Sequence, residues 1–127
     1  KEDSDSDEEL AGGNVHLVNS MEKWNQETSE SNNEGKVMVV NFSAHWCGPC
    51  RHIATTYREL ADKHPAILFL MVDVDALAEF STSWGISATP TFFFMRDGKE
   101  VDKLVGADKV ALEKKIVAIA DKEKPSS

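Results

Sequence analysis

Apolar residues along this chain fall in blocks whose period switches between two and about 3.6, so elements can be assigned before any residue is given a role. VHLV at 15–18 reads as a short strand. Ser20 caps a helix that turns Met21 and Trp24 inward, and ESNNEGK ends it. KVMVVNFSA at 36–44 is continuously apolar and rich in β-branched residues, the pattern of a strand buried on both faces. From about 46 to 63, Ile53, Tyr57, Leu60, Ala61 and His64 recur at helical spacing, which predicts an amphipathic helix with Pro49 in its first turn. AILFLMVDVD at 66–75 is another buried strand, after which Asp75 caps a short helix with Leu77, Phe80 and Trp84 on one side. TFFFMRDGKEVDKLV at 91–105 reads as a hairpin turning at Asp97-Gly98. Gly106 breaks its second strand, and a last helix from about 108 to 120 buries Leu112, Ile116 and Ile119. The order βαβαβαββα predicts an α/β fold, a central mixed β-sheet flanked by helices, with Trp24 and Trp84 in the core.

Charge adds an N-terminal feature. The first ten residues, KEDSDSDEEL, hold six acids and one base, a net of −5 out of −8 for the 127-residue chain. With the following AGG they read as an acidic disordered tail over 1–12 and a flexible joint. The remainder is nearly balanced and has no basic stripe, which argues against nucleic acid and against an anionic membrane surface as partners. No apolar run approaches the length of a transmembrane span. The chain begins at Lys1, so a preceding segment that attaches it to a membrane stays open as an expectation.

Both cysteines lie in one stretch, NFSAHWCGPCRH at 41–52. A C-x-x-C-H haem site fails because Arg51 follows Cys50. A structural zinc needs four ligands, and His52 sits roughly 200° around the helix from Cys50, so no metal is expected. A disulfide across so short a loop adds little chain-entropy stabilisation. Cys47 at the mouth of a helix is a different matter, because unpaired N–H groups and the positive end of the dipole favour a thiolate there. Cys50, one turn further in, is placed to attack a mixed disulfide formed on Cys47. The pair reads as a two-electron redox couple.

The chain resembles the thioredoxin family on Trp46-Cys47-Gly48-Pro49-Cys50 after a buried strand, Thr89-Pro90-Thr91 some forty residues later, and Val105-Gly106-Ala107 before the last helix. NFSAHWCGPCR, VDVD and ATPTFFF are most similar to plant cytosolic h-type thioredoxins with an N-terminal extension. The resemblance spans 13–122 and implies a thioredoxin domain there, followed by a disordered tail over 123–127. It implies a general protein-disulfide reductase serving cell redox homeostasis, with Cys47 as nucleophile, Cys50 as resolving thiol and Pro90 in the cis form. Trp46, Thr89, Pro90, Val105, Gly106 and Ala107 would form the substrate surface, with Gly48 and Pro49 supporting the dithiol. No cofactor is implied as bound. Electrons would come from an NADPH-dependent thioredoxin reductase, or alternatively from glutathione or glutaredoxin. The targets would be diverse disulfide-containing proteins, and the protein a cytoplasmic monomer. An oxidase or isomerase, and a binding module without turnover, are disfavoured by the Gly-Pro spacer and by the presence of both cysteines.

Four positions depart from the family pattern. Asn41 stands where most thioredoxins carry a buried aspartate, and Met71 where its lysine partner falls. Replacing both partners avoids the stranded charge that losing one would leave. Asparagine cannot act as a base, so Cys50 is expected to deprotonate through water or toward the leaving thiolate, more slowly near neutral pH. Thr55 replaces a helix-kinking proline. A charged His45 would favour the Cys47 thiolate.

Overall fold

A computed structural model describes residues 10–123. The elements follow in the predicted order: β1 (Val15–Val18), α1 (Met21–Glu34), β2 (Val37–Ser43), α2 (Gly48–Lys63), β3 (Leu68–Asp73), α3 (Ala78–Ser83), β4 (Thr91–Arg96), β5 (Lys99–Val105) and α4 (Lys109–Glu123). The five strands form one mixed sheet in the order β1-β3-β2-β4-β5. β1 and β2 each run parallel to β3, while β4 is antiparallel to both β2 and β5.

β2 is central and buried at every position, which is why its sequence is apolar without alternation. On one sheet face Val37, Val39, Phe69, Met71, Phe92 and Phe94 pack against α2 and α4, the latter through Leu112, Ile116 and Ile119. On the other face Met38, Val40, Phe42, Leu70, Val72 and Phe93 meet α1 and α3. Trp24 and Trp84 belong there as expected: their rings lie 5.4 Å apart, and Trp84 is edge-on to Phe93 at 5.0 Å. Ser20 Oγ caps α1 by accepting from Lys23 N–H. At the hairpin, Asp97 and Gly98 both take positive φ (54° and 77°), the combination a two-residue turn needs to match strand twist.

Four expectations need correction. The acidic tail was expected to run to residue 12, but Leu10 and Ala11 are buried at 2 % and 3 % exposure. They are the first apolar residues of the chain and close the α2/α4 side of the core. The glycines after them form a tight turn instead of a loose joint: Gly12 and Val15 exchange backbone hydrogen bonds, and Asn14 Nδ2 donates to Asp62 at the end of α2. The rest of that tail, residues 1–9, lies outside the described residues, as do residues 124–127 of the C-terminal tail, whose first residue, Glu123, closes α4. Met21 points outward at 41 % exposure, because Trp24 with Phe80 and Trp84 already covers that side of the sheet. His64 does not continue the buried stripe of α2; it is the C-cap, its N–H donating to Leu60 O. Asp75 caps no helix. The cap position of α3 is Leu77, with no side-chain bond, and it is Asp73 Oδ1 that accepts from the N–H groups of Asp75 and Ala76.

Tyr57 on α2 is fully buried, and its hydroxyl reaches Leu70 O at 2.8 Å and Val39 O at 3.1 Å. One side chain thereby ties α2 to the two central parallel strands. Burial pushes this phenol well above its ordinary pKa, partly offset by the bond to Leu70.

Candidate active site

β2 delivers the chain to the carboxyl edge of the sheet and stops at Ser43, whose carbonyl accepts from Val74 N–H of the neighbouring loop. Four residues later Cys47 occupies the N-cap of α2 in extended conformation, held by its N–H to Ala44 O at 3.1 Å. Pro49 sits in the first turn, where its missing N–H has no helical partner to lose. Cys47 Sγ accepts from Cys50 N–H at 3.2 Å, so the side-chain role of a capping serine is taken by sulfur. Cys47 and Cys50 form a disulfide with Cα atoms 5.2 Å apart. The backbone donor aimed at Cys47 Sγ and the positive end of the 16-residue helix behind it are both features that would favour a thiolate on reduction. Cys47 is 5 % exposed and Cys50 fully buried, so an incoming sulfur meets Cys47 first.

The other predicted site residues converge on the same edge. Thr89-Pro90 is cis, and Thr89 O lies 3.5 Å from Cys47 Sγ. Gly106 N–H donates to Pro90 O at 2.9 Å, and Thr91 registers with Val105 across the β4–β5 ladder. The loop carrying Val105, Gly106 and Ala107 is therefore stitched beside the proline. Val105 is half exposed, and Gly48 and Pro49 are exposed. Trp46 stands out at 61 % exposure, its indole Nε1–H donating to Asp75 Oδ2 at 2.7 Å.

Asn41 and Met71 are register partners on the β2–β3 ladder and lie on the face that α2 covers. Both are buried, Asn41 at 2 % and Met71 at 0 %. Asn41 Oδ1 accepts from Ser43 Oγ at 2.8 Å, so this interior polar group is neutral and partnered. His45, next to Trp46, presents its carbonyl to Arg51 Nη1 at 2.6 Å, while its Nδ1 is closed off without a hydrogen-bond partner among the described residues. Among those residues no group of three or more His, Cys, Asp or Glu side chains is placed to hold a metal, and no helix is long and apolar enough to cross a membrane.

Two residues of this region escaped the sequence reading. Asp75 has the chemistry of a helix cap, but its contact with Trp46 spans 29 residues that no local pattern connects. Ser81 is 5 % exposed, with a hydroxyl that has no partner among the described residues. A signal did exist for it, since Ser81 is the polar residue within the Leu77, Phe80, Trp84 stripe.

A cysteine pair bridged at the mouth of an α-helix, beside a cis-proline loop at the carboxyl edge of a mixed sheet, defines a dithiol–disulfide oxidoreductase. Comparison supplies the family: the model of the family described as Thioredoxin matches residues 15–118, and the chain belongs to the thioredoxin family. It is similar to a thioredoxin H-type from Populus jackii, with 58 % identity over 127 residues covering 98 % of this chain and 91 % of the relative. A thioredoxin H-type from Picea mariana is 46 % identical over 111 residues, covering 87 % and 89 %. Among solved structures, a poplar wild-type thioredoxin h superimposes with a TM-score of 0.84 at 58 % identity, covering 86 % of this chain and 98 % of that one. The chain is thus a protein-disulfide oxidoreductase of plant h-type character, and its chemistry is disulfide reduction by dithiol–disulfide exchange at Cys47 and Cys50.

Proposed function

We propose that the exchange runs in two steps, with Cys47 as nucleophile. The Cys47 thiolate attacks one sulfur of a target disulfide, and the other target sulfur leaves as a thiolate and takes up a proton. Cys50 then loses its proton and attacks Cys47 Sγ, releasing the second target sulfur. Two electrons pass to the target, and the Cys47–Cys50 disulfide is left behind. Trp46, Thr89, Pro90, Val105, Gly106 and Ala107 form the surface against which an extended target segment lies, Thr89 offering main-chain groups. Gly48 and Pro49 set the short spacing of the two sulfurs.

The single observation that carries this assignment of roles is the difference in access: Cys47 is at the helix mouth with Cys50 N–H on its sulfur, while Cys50 lies beneath it. With Asn41 and Met71 neutral, Cys50 gives its proton to water or to the departing thiolate, and the resolving step slows near neutral pH. Recharging is by an NADPH-dependent thioredoxin reductase, with glutathione or glutaredoxin as the alternative, and no cofactor stays bound. The protein works as a cytoplasmic monomer; the placement of both cysteines of the chain in the redox pair suits a reducing compartment.

Insulin-disulfide reduction in the presence of NADPH and thioredoxin reductase tests the reading. The wild type should turn over, and Cys50→Ser should stop after one mixed disulfide on Cys47, seen by intact mass. Sustained turnover by Cys50→Ser would overturn the two-cysteine mechanism.

A further inference from the structure

Beside the redox centre lies a groove of about 370 Å³ whose walls include Trp46, Val74, Ala78, Ser81, Ile86 and Thr89. One of its walls touches the redox centre, since Thr89 O is 3.5 Å from Cys47 Sγ. A target segment that presents a disulfide to Cys47 therefore runs next to it. The lining of the groove mixes apolar side chains with the hydroxyls of Ser81, Thr82, Ser87 and Thr89 and holds no ionised side chain. Of these hydroxyls it is that of Ser81 that needs explaining, since a serine on a helix ordinarily returns its hydroxyl to a carbonyl one turn back. Here its N–H donates to Leu77 O at 2.9 Å, yet its Oγ has no partner among the described residues and is shut off from bulk water. A buried hydroxyl in that condition lowers stability, and alanine would fill the same stripe without the cost.

We propose that Ser81 is a specificity-determining residue. Its hydroxyl is held for an uncharged hydrogen-bonding side chain of the target, serine, threonine or asparagine, within a few residues of the cysteine that Cys47 attacks. Serine has three staggered positions about Cα–Cβ, and rotation among them turns Oγ from the helix toward the groove when a partner enters. The unsatisfied group in the free protein becomes satisfied in the complex, whereas an alanine-bearing target leaves it orphaned. This rests on the reductase reading above, and it adds which neighbouring residues favour a target.

The test uses the reduced full chain and a panel of peptides whose single cysteine carries a 2-nitro-5-thiobenzoate mixed disulfide. Serine, asparagine or alanine is placed in turn at each of four positions on either side. Attack by Cys47 on the peptide sulfur breaks that disulfide and releases the coloured thiolate; Cys50 then frees the peptide as a thiol. At one position the wild type should prefer serine or asparagine over alanine about five- to tenfold in kcat/KM, the range of one net hydrogen bond. Ser81→Ala should flatten that preference to within twofold, Ser81→Thr should restore it, and reduction of the small aromatic disulfide of Ellman's reagent should be unchanged in both. The urea midpoint of Ser81→Ala should stay level or rise. A preference that survives Ser81→Ala, a panel with no preferred position, or a marked drop in the midpoint would each overturn the role of Ser81. Failure of the wild type to reduce Ellman's reagent would instead strike the reductase reading itself, and the proposal with it.

Discussion

Asn41 and Met71 face one another across the two central parallel strands, about 4.8 Å apart in the pairing direction, and both are buried. Asn41→Asp places a carboxyl at a position of 2 % exposure whose registered neighbours, Met71 and Phe92, are apolar. Ser43 Oγ, at 2.8 Å, is the hydrogen-bond donor positioned to compensate. Desolvation of a fully buried carboxyl raises its pKa by about 3 units or more, worth about 4 kcal/mol at 1.36 kcal/mol per unit. The folded pKa then exceeds the unfolded value near ~4. The cost is thus absent below about pH 4, grows as pH rises, and levels off above roughly pH 7. Met71→Lys has the opposite sign of dependence: its folded pKa is depressed, so its cost of about 4 kcal/mol develops as pH falls from about 10. Additive behaviour would make the double variant about 8 kcal/mol less stable, enough to unfold many domains of this size. Pairing across the ladder should bring that down to about 1–4 kcal/mol, the usual excess of a buried ion pair over neutral groups. The measurement is urea unfolding of the oxidised protein at pH 4.5, 7 and 9 for wild type, both single variants and the double. Additivity at pH 7, or an Asn41→Asp cost that is the same at pH 4.5 and 9, would refute the view that this site is neutral because a lone charge cannot be accommodated. The same double variant should speed decay of a trapped mixed disulfide. A wild-type decay rate that does not change between pH 6 and 8 would remove the kinetic role given to the neutral pair.

Tyr57→Phe leaves Leu70 O and Val39 O without the hydroxyl and should cost about 1–3 kcal/mol, read as a lower urea midpoint with unchanged slope. Because burial raises this phenol above its unfolded pKa of about 10, wild-type stability should fall as pH climbs beyond that value. Tyr57→Phe should lose that component, and identical alkaline slopes for the two proteins would contradict it. Asp75→Ala frees the Trp46 indole, and the expected outcome is altered tryptophan emission with a roughly fivefold lower rate on protein targets, about one hydrogen bond's worth. Equal emission and rates would mean that the bond does not position Trp46. Glu27 accepts from His16 Nδ1 at 3.0 Å and pairs with Lys23 Nζ at 3.2 Å, joining α1 to β1. Glu27→Gln should lower stability by about 0.5–1 kcal/mol, with faster amide exchange in α1 as the local readout.

Legibility followed the range of the interaction. The Asp97-Gly98 turn, the Ser20 cap, the helix start at Cys47 and the uninterrupted apolar run of β2 are each set by residues within one or two turns of chain, and all were readable there. The redox pair was readable for the same reason, since its two sulfurs and the helix mouth lie within four residues. The misreadings share an opposite cause. Asp75 has a capping residue's chemistry and the right distance from a helix, but the Trp46 indole, 29 residues earlier in the chain, competes for its carboxylate. Met21 was assigned inward from periodicity, yet Trp24, Phe80 and Trp84 already cover that face. Leu10 and Ala11 looked like the end of an acidic tail until the α2/α4 layer gave them a surface to cover.

By itself the sequence determined the order of elements, the position of the dithiol and the neutrality of residues 41 and 71, because these depend on local backbone preference and side-chain chemistry. Only the tertiary structure decided that β1 pairs at the edge beside β3, that Asn41 and Met71 share a rung, that Thr89 O lies against Cys47 Sγ and that the Ser81 hydroxyl has no partner among the described residues. Each of those joins residues far apart in the chain, and it is close packing of the whole sheet and its helices that brings them together.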